Sequence, residues 1–443
     1  MNNQKYFFIG IGGIGMSSVA QYLLEKGNTI FGYDKSVNKS VEILIEKGIK
    51  ITNKLSFDNV PRDMKLNDVI VVYTPAIGED NFFLNYFRSN GKNIIYKRSE
   101  ILGHISNKNK CIAVAGTHGK TTTTAIISHL FYSFGINFKA FIGGYLKGHN
   151  SNYINTGDDY IIVEADEYDR SFLNLKPDYA AITSIESDHL DIYGDFKSLR
   201  ESYELFGESV EEVLITDLEV DIKRDFTFSV EREADYFISN IINKKDGILF
   251  NLKTPDNFYS DIFVNMIGLH NLKNTLAALS IIDQIKEINI EDLLPFLSDF
   301  KGVERRMNIY RLNNKVIIDD YAHHPTEIKS VLDTININYK NMSKAVIFQP
   351  HLFTRTRDFM DEFAKVLSQF DEVYLLDIYP AREKPLIGIS AKTLLEKICS
   401  SKKEIVDRKS INEIIVNSKI DIFSILGAGN LTEYLDIKIF ENE

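Results

Sequence analysis

VAGTHGKT, residues 114–121, joins a short apolar segment to a helical pattern and decides the fold class. The apolar segment Cys111–Ala115 is a predicted strand, and Thr121–Phe134 is a predicted helix that stops at Gly135. Strand, glycine-rich turn and helix in this order are typical of a parallel α/β sheet whose loops bind phosphate. The sequence therefore predicts an α/β protein with a P-loop ATPase-type parallel sheet domain at its centre.

This loop departs from the usual phosphate-binding pattern. The pattern G-x-x-x-x-G-K-[ST] requires glycine at position 114, where this chain has Val114, and a glycine follows two residues later as Gly116. A shortened loop can still bind phosphates through its N–H groups, with Lys120 on the outer phosphates and Thr121 on Mg²⁺. The alternative is a threonine-rich helix start that binds nothing, but a lysine at this place has no packing role.

A second glycine-rich turn opens the chain. The sequence GIGGIG, Gly10–Gly15, lies between a predicted strand, Tyr6–Ile11, and a predicted helix, Met16–Glu25, and Asp34 ends the next strand, Thr29–Tyr33. This arrangement matches the dinucleotide-binding fingerprint, in which glycines let the backbone approach a diphosphate at a helix N-terminus. Any diphosphate nucleotide would satisfy the pattern, and a tight structural turn is the alternative. The glycines alone do not imply a nicotinamide cofactor.

Length and strand pattern predict three domains. The chain has 443 residues, and about 150 residues per domain is usual. We expect a Rossmann-like domain at residues 1–105, the central domain at 106–301 and a second Rossmann-like α/β domain at 302–443, with the polar stretch Ser106–Lys110 as the first linker. The remaining strand candidates are Val69–Tyr73, Ile94–Tyr96, Val316–Ile318, Ala345–Phe348, Glu372–Asp377 and Ile422–Leu426.

Composition excludes several classes of protein. The chain carries 51 Lys and Arg against 62 Asp and Glu, a formal net charge of −11, without a basic block that would suit nucleic acid. Cys111 and Cys399 are too few for a disulfide framework. No apolar run approaches the ~20 residues that span a bilayer. We therefore expect a soluble cytoplasmic protein whose partners are small molecules and neither nucleic acid nor membrane. We also expect a monomer or a homodimer, a choice on which composition has no bearing.

Acidic side chains follow two predicted strands of the central domain. Glu164–Glu167, with the sequence EADE, comes after the strand Tyr160–Val163, at the edge where open α/β sheets bind ligands and carboxylates can hold Mg²⁺. Asp188 and His189 follow the strand Ala180–Ser184 in the same way. Because imidazole is a poor ligand for a hard cation, His189 is equally suited to a hydrogen-bonding role.

Three later clusters are also candidates. His270–Asn274 is a predicted loop that opens the helix Thr275–Ile282, and Asp319–Pro325 follows the strand Val316–Ile318; both suit adenine and ribose contacts, or simple helix capping. His351, Arg355 and Arg357 follow the strand Ala345–Phe348. Two arginines close together suit a bidentate clamp on a carboxylate, and a solvated helix start is the alternative.

Taken in order along the whole chain, these segments resemble the Mur ligase family. The similar motifs are FIGIGGIGMS, GTHGKTTTT, EADEYDRSFL, DHLDIYG, GLHNLKNTLAA, GVERRM, DDYAHHPTE, FQPHLFTRTRD and GAGN. The resemblance implies an ATP-dependent ligase of peptidoglycan precursor synthesis, with UDP-N-acetylmuramate, ATP and L-alanine as substrates and Mg²⁺ as the metal ion. It also implies that the first domain binds UDP, and that the third domain moves onto the other two.

The resemblance assigns roles to individual residues. For the UDP-sugar it implies Gly10, Gly12, Gly13, Gly15, Met16, Ser17 and Asp34. For ATP it implies Gly116, Thr117, His118, Gly119, Lys120, Thr121, Thr122, Asn271, Asn274, Arg305 and Asp320. For the metal ion it implies Thr121, Glu164 and His189, and for the amino acid His351, Arg355 and Arg357. The catalytic set that it implies is Lys120, Glu164, His189, His324 and Arg357.

Other functions remain to be weighed. Tyr168 and Arg170 replace small residues of well-known alanine ligases, and EADEYD also occurs in a Mur ligase that attaches a preformed tripeptide during wall recycling, whereas FQPHLFTRTRD favours L-alanine. A Rossmann NAD-dependent dehydrogenase would explain Gly10–Gly15 and Asp34 but gives Lys120 no role. A non-catalytic nucleotide sensor would keep the glycine loops without needing the acidic strand ends.

Overall fold

The computed structural model describes residues 3–65, 68–312, 314–381, 383–435 and 441–442. Their strands form three sheets, of five, ten and seven strands in chain order. The chain also divides into two compact units. One reaches to Ser239 and includes Asn251–Ile262 and Asn274–Lys301, and the other includes Asn240–Phe250, Phe263–Lys273 and the chain from Gly302 onward. The predicted α/β class is confirmed, while the domain boundaries near residues 105 and 301 stay a prediction.

The first sheet is parallel and carries the first glycine-rich turn. Its strands are β1 Lys5–Ile9, β2 Thr29–Tyr33, β3 Lys50–Thr52, β4 Val69–Tyr73 and β5 Ile95–Lys97. They lie in the order β3-β2-β1-β4-β5, with every pair parallel. The helices are α1 Ile14–Glu25, α2 Lys39–Glu46, α3 Phe82–Asn90 and α4 Arg98–Ser106. Because β1 is central and α1 follows it directly, the turn lies at the carboxyl edge of the sheet.

The second sheet carries the lysine loop. Its strands are β6 Lys110–Ala115, β7 Phe138–Leu146, β8 Ser151–Asn155, β9 Tyr160–Glu164, β10 Tyr179–Ile182, β11 Val213–Asp217, β12 Phe226–Ser229, β13 Tyr236–Asn243, β14 Ile248–Lys253 and β15 Phe258–Val264. Their order is β15-β14-β13-β12-β11-β10-β6-β9-β7-β8. The helices are α5 Lys120–Phe134, α6 Leu190–Tyr193, α7 Phe196–Glu208 and α8 Leu269–Asp283, and 3₁₀ turns span Tyr168–Asn174, Ile290–Asp292 and Leu294–Asp299. The neighbours β6, β9 and β10 end at one edge, so the loops that follow them converge.

The third sheet is parallel except at one edge. Its strands are β16 Asn308–Leu312, β17 Lys315–Asp320, β18 Lys344–Phe348, β19 Glu372–Leu375, β20 Lys402–Ile405, β21 Ile422–Leu426 and β22 Glu441–Asn442, in the order β20-β19-β18-β21-β17-β16-β22. The helices are α9 Pro325–Asn338, α10 Phe353–Asp358, α11 Met360–Leu367, α12 Ala391–Lys397 and α13 Ile411–Asn417. Strand β16 pairs antiparallel with β17 and β22.

Helix α1 packs directly on the second sheet. The ring of Tyr22 lies 5.8 Å from that of Phe141 and 6.4 Å from that of Tyr153, and such aromatic pairs each contribute about 0.5–1.5 kcal/mol beyond their buried area. The amide of Asn152 donates to the carbonyl of Ile14 at 2.6 Å and to Oγ of Ser17 at 3.0 Å. The glycine-rich turn is thereby fixed to the sheet that carries the lysine loop.

Several predicted segments require correction. His270–Asn274 was expected in a loop, but it forms the first turns of α8, which begins at Leu269. Asp319 and Asp320 were expected after their strand, but they are its last two residues. The expected linker from Ser106 to Lys110 is shorter, since α4 ends at Ser106 and β6 begins at Lys110.

The two cysteines lie in different surroundings. Cys111 is buried in β6, where burial raises the pKa of its thiol, whereas Cys399 is exposed after α12. Across the described ranges, every helix is too short or too polar to cross a membrane.

Candidate active site

The lysine loop turns sharply into α5. Gly119 precedes the helix with a φ of 86°, in the left-handed region that favours glycine. A Cβ atom at this position would also collide with the amide oxygen of Asn274, which is buried against the loop. The hydroxyl of Thr123 donates to the carbonyl of Asn274 at 3.3 Å. The predicted nucleotide-binding residue Asn274 therefore lies against the loop. Its close approach and the positive φ explain why position 119 is glycine.

Residues that follow β10 hold the loop from the other side. The backbone N–H of Thr117 donates to the carbonyl of Ser184 at 3.0 Å, and that of His118 donates to the Ser184 hydroxyl at 3.0 Å. Thr183 donates to the carbonyl of His118, and the N–H of Glu186 donates to Thr117 Oγ1 at 2.9 Å. Sequence reasoning missed these residues, because Thr183 and Ser184 were assigned to the end of the predicted strand Ala180–Ser184, which in the structure ends at Ile182. They fix the loop before any phosphate binds.

Lys120 forms a buried ion pair with Glu167. Its Nζ lies 2.7 Å from Oε2 and 2.9 Å from Oε1 of Glu167, and it donates to the carbonyl of Gly116 at 2.5 Å. Burial lowers the pKa of Lys120, but the carboxylates of Glu167, Asp166 and Glu164 outweigh it and raise the pKa overall. Burial raises the pKa of Glu167 to about 7, against the opposing effect of Lys120. The ammonium group is therefore charged and ready to bind an anion.

Thr121 and Glu164 place two hard oxygen ligands side by side. The hydroxyl of Thr121 donates to Oε1 of Glu164 at 3.0 Å, and the N–H of Gly143 donates to Oε2 at 2.8 Å. Hydroxyl and carboxylate oxygens are the ligands that Mg²⁺ prefers, so this pair fits the predicted metal site. Thr122 follows in the first turn of α5 and is buried.

His189 lies nearer to other acidic groups. Its Nε2 is 3.8 Å from Oε1 of Glu167 and 3.7 Å from Oδ2 of Asp188, and its ring contacts that of Tyr168 edge-on at 5.2 Å. Its backbone has a φ of 53°, an uncommon value for a residue with a side chain. The structure thus joins His189 to the partner of Lys120. The role of His189 as a metal ligand stays a prediction.

The first glycine-rich turn is closed by its own acidic residue. The N–H of Gly12 donates to Oδ2 of Asp34 at 2.8 Å, and the N–H and hydroxyl of Ser36 donate to Oδ1 at 3.0 and 3.1 Å. Asn38 donates to the carbonyl of Gly12 at 3.1 Å. Both carboxylate oxygens of Asp34 therefore stabilise the turn. The other predicted UDP-sugar residues, Gly10, Gly13, Gly15, Met16 and Ser17, lie in the same turn or at the start of α1.

Two ion pairs connect the junction of β5 and α4 to the segment that follows β9. Arg98 Nη2 lies 3.1 Å from Oδ2 of Asp166, and Lys97 Nζ lies 2.8 Å from Oδ2 of Asp169. Asp169 and Arg170 have φ values of 54° and 53°, which cost of order 1–3 kcal/mol each for residues other than glycine. The guanidinium of Arg170 lies over the ring of Tyr193 at 4.8 Å. Sequence reasoning missed Lys97 and Arg98 because nothing local marks them.

In the second unit, Arg305 binds a backbone loop. Its guanidinium donates to the carbonyl of Gly427 at 2.5 Å and to that of Ala428 at 3.3 Å. Asp320 accepts from the N–H groups of Met307 at 2.7 Å and Ala322 at 2.8 Å, and burial raises the pKa of its carboxyl group. The structure therefore shows Arg305 and Asp320 in contact with backbone, and their role towards ATP stays a prediction.

The predicted nucleotide residue Asn271 and the predicted catalytic residue His324 both have structural roles. Asn271 donates to the carbonyl of Ile267 at 2.8 Å. His324 is the N-cap of α9, where its Nδ1 accepts from Thr326 at 3.4 Å, and its ring packs on Phe359 at 4.6 Å. Only His324 caps a helix, since Asn271 lies inside α8, and the roles of both residues towards ATP and in catalysis stay predictions.

The two arginines of the expected clamp lie in different surroundings, and their role towards the amino acid stays a prediction. Arg355 is buried, and its guanidinium lies 3.0 Å from Nδ1 of His351, whose ring stacks on Tyr379 at 5.7 Å. The side chain of Arg357 is 53% exposed and bonds Asp358 at 2.7 Å. Residues two apart on a helix do not face each other, and both arginines lie on α10. Arg355 orients His351, while Arg357 is the accessible cation.

Family models match three consecutive segments of the chain. The model described as Mur ligase family, catalytic domain, matches residues 5–110. The Mur ligase middle domain matches residues 114–282, and the model described as Mur ligase, glutamate ligase domain, matches residues 305–427. The lysine loop from Gly116 and the strand end at Glu164 lie within the middle domain.

Whole-chain comparisons agree with these matches. The UDP-N-acetylmuramate–L-alanine ligase of Christiangramia forsetii is 40% identical, and the alignment covers 98% of this chain and 97% of the relative. The structure of UDP-N-acetylmuramate-alanine ligase from Thermotoga maritima has a TM-score of 0.83 at 28% identity, with 98% and 97% coverage. A murein peptide ligase from Psychrobacter arcticus has a TM-score of 0.74 at 22% identity, with the same coverage, and shows the fold alone.

Proposed function

Because the chain belongs to the Mur ligase family, we propose that it joins L-alanine to the lactyl carboxylate of UDP-N-acetylmuramate, with conversion of ATP to ADP and phosphate. The relative from Christiangramia forsetii, which carries this activity in its name, supports the choice of substrates. The observation that carries the proposal is at the start of α5, where adjacent residues Lys120 and Thr121 contact Glu167 and Glu164. This arrangement offers a cation and a pair of hard oxygens to one triphosphate.

The first half of the reaction makes an acyl phosphate. An oxygen of the lactyl carboxylate attacks the γ-phosphorus of ATP, and the bond from that phosphorus to the bridging oxygen breaks, so ADP leaves with the electron pair. Lys120 offsets the charge that opposes the meeting of two anions, and the N–H groups of the loop from Gly116 bind the phosphates. Mg²⁺, when bound, would neutralise further phosphate charge, and Thr121 and Glu164 would hold it.

The second half forms the amide. The neutral amine of L-alanine attacks the acyl carbon, the tetrahedral intermediate expels phosphate with the electron pair of the broken C–O bond, and the nitrogen loses its proton. We assign Arg357 to the α-carboxylate of L-alanine because its guanidinium is accessible. His351, oriented by Arg355, lies two residues before α10, the helix that carries Arg357, and is assigned to the same substrate.

We place this reaction in the cytoplasm, where both unpaired thiols stay reduced. The expectation of a monomer or a homodimer stays a prediction, which the mass measured by light scattering would decide.

Release of ADP tests the function. We expect purified protein with UDP-N-acetylmuramate and MgATP to release ADP with L-alanine much faster than with the L-alanyl-γ-D-glutamyl-diaminopimelate tripeptide. A reaction without the UDP-sugar is the control, because it measures ATP hydrolysis alone. A preference for the tripeptide would assign the chain to wall recycling, the alternative that EADEYD leaves open. If neither amine stimulates ADP release, the ligase function is wrong.

A further inference from the structure

Arg98 lies against the first glycine-rich turn. If Gly15 carried a Cβ atom, that atom would be 2.7 Å from Nη1 and 3.2 Å from Cζ of Arg98. Gly15 is the second residue of α1, so the guanidinium lies beside the first turn of this helix. The side chain of Arg98 is only 15% exposed, which means that its position is set by the surrounding protein.

The charges at this place suit an anion. The N-terminus of α1 has a positive partial charge, its first turn contains no acidic residue, and its N-cap, Gly13, has no side chain to cap it. A guanidinium beside it adds a full positive charge. Asp166 balances part of this charge through one hydrogen bond from Nη2 at 3.1 Å. An arginine has five N–H donors in a planar fork, so Arg98 can bind Asp166 and a phosphate together.

The partner of Arg98 belongs to the acidic segment of the other nucleotide loop. Asp166 is followed by Glu167, whose carboxylate pairs with Lys120. One short segment after β9 thus holds the cation beside each glycine-rich loop: Arg98 beside the first and Lys120 in the second. Lys97, next to Arg98, is held in the same manner by Asp169 at 2.8 Å.

We propose that Arg98 binds the diphosphate of the UDP-linked substrate together with the turn Gly10–Gly15, and that Asp166 positions its guanidinium for this contact. The identity of the diphosphate rests on the proposed function. In the proposed arrangement the helix N-terminus and the arginine approach the diphosphate from two directions. Asp166 is a positioning residue, because it acts on the substrate only through Arg98.

Direct binding of UDP and uridine tests this role without any catalytic step. Uridine keeps the base and the ribose but lacks the diphosphate. By calorimetry, we expect Arg98→Ala to weaken UDP binding at least about tenfold and to leave uridine binding unchanged, since a charge-assisted hydrogen bond is lost. The UDP affinity of Arg98→Lys should lie between those of wild type and Arg98→Ala, because the lysine keeps the positive charge but loses the planar fork of the guanidinium. The matched control is Arg88→Ala, which removes an exposed arginine of the same domain that pairs with Glu79.

A double-mutant cycle tests the part of Asp166. We expect Asp166→Asn alone to weaken UDP binding, and Arg98→Ala/Asp166→Asn to bind UDP as Arg98→Ala does, because Asp166 has no effect once its partner is gone. Additive losses would overturn the positioning role. Melting temperatures of all variants identify any that fail to fold, and Arg98→Lys keeps the ion pair if Arg98→Ala does not fold.

The outcomes separate this inference from the proposed function. Unchanged UDP affinity in Arg98→Ala, or equal losses for UDP and uridine, would overturn the role of Arg98 and leave the ligase activity untouched. Wild-type protein that binds UDP through Arg98 but does not ligate L-alanine would overturn the proposed function alone. Wild-type protein that does not bind UDP would overturn both.

Discussion

Nζ of Lys120 lies 2.7 Å from Oε2 of Glu167, and both side chains are largely buried. Lys120 therefore has a carboxylate partner from the segment that follows the neighbouring strand, β9. A phosphate that binds Lys120 either displaces Glu167 from the ammonium group or binds the ammonium group together with Glu167. The pair stabilises a charge that would be costly to bury alone, and it keeps the ammonium group at the loop.

Variants of Lys120 and Glu167 distinguish the role of Lys120 in turnover from its role in stability. We expect Lys120→Ala to reduce ADP release by about 10³-fold, since the group that offsets the phosphate charge is lost. The variant also leaves Glu167 buried without its cation, so its melting temperature should fall. Lys120→Ala/Glu167→Gln should regain the melting temperature and stay inactive. The control is Lys110→Ala, which breaks an ion pair with Glu287. Normal turnover of Lys120→Ala would contradict the assignment of Lys120 to the phosphates.

Replacement of Glu164 tests the proposed ligand for the metal ion. Glu164→Gln keeps the size of the side chain and an oxygen that can accept from Gly143, but it removes the negative charge beside Thr121. We expect turnover at ordinary Mg²⁺ to fall by about two orders of magnitude and to recover partly as Mg²⁺ is raised. Glu201→Gln, on the surface of α7, serves as the control. Near-normal turnover of Glu164→Gln would show that the carboxylate is structural.

The buried carboxylate of Glu167 predicts a pH dependence of stability. Burial raises its pKa from the ordinary 4.5 to about 7, so the folded protein binds a proton that the unfolded chain releases between these values. This contribution to stability is complete below about pH 4.5 and is lost as pH rises towards 7. Glu167→Gln does not titrate there. The melting temperature of Glu167→Gln minus that of wild type should therefore increase as pH rises from about 4.5 to 7. A difference that stays constant with pH would contradict the raised pKa of Glu167.

The two arginines of α10 should respond differently to mutation. Arg357→Lys should raise the KM for L-alanine roughly tenfold with little change in melting temperature, because Arg357 is exposed and loses its planar fork. Arg355→Lys should lower the melting temperature, since it disturbs a buried contact with His351. The exposed Arg88→Lys controls for the substitution itself. Equal effects of both variants on the KM for L-alanine would favour a clamp of both arginines on its carboxylate.

Local patterns predicted the elements that carry the site. The lysine loop between β6 and α5 was recognised because a glycine, a lysine and threonines at a strand-to-helix junction form a contiguous signal. Glu164 was placed at a strand end because the apolar run before it is short and ends in carboxylates. Residues 29–33 and 69–73 form strands with the predicted bounds, since both are apolar and flanked by polar residues.

Contacts between distant segments could not be predicted in this way. The hydrogen bond from His118 to Ser184 joins residues 66 positions apart, and that from Arg98 to Asp166 joins residues 68 apart. Both depend on which strands become neighbours in the sheets, which periodicity does not reveal. The start of α8 was missed for another reason. Asn271 and Asn274 are typical of caps and loops, but both lie inside α8, which begins at Leu269, so the local preference of these residues is overridden here.

The contrast between the two cysteines has a practical use. A thiol reacts with maleimides as the thiolate, and the buried Cys111 is both inaccessible and held protonated, whereas Cys399 is exposed. The native sequence therefore offers one labelling position, in the C-terminal part of the chain, without any engineered cysteine. A fluorophore on Cys399 and a fluorescent nucleotide at the lysine loop would form a donor–acceptor pair. Energy transfer between them would test, in the unmutated protein, the movement of the third domain that the resemblance to the Mur ligases implies.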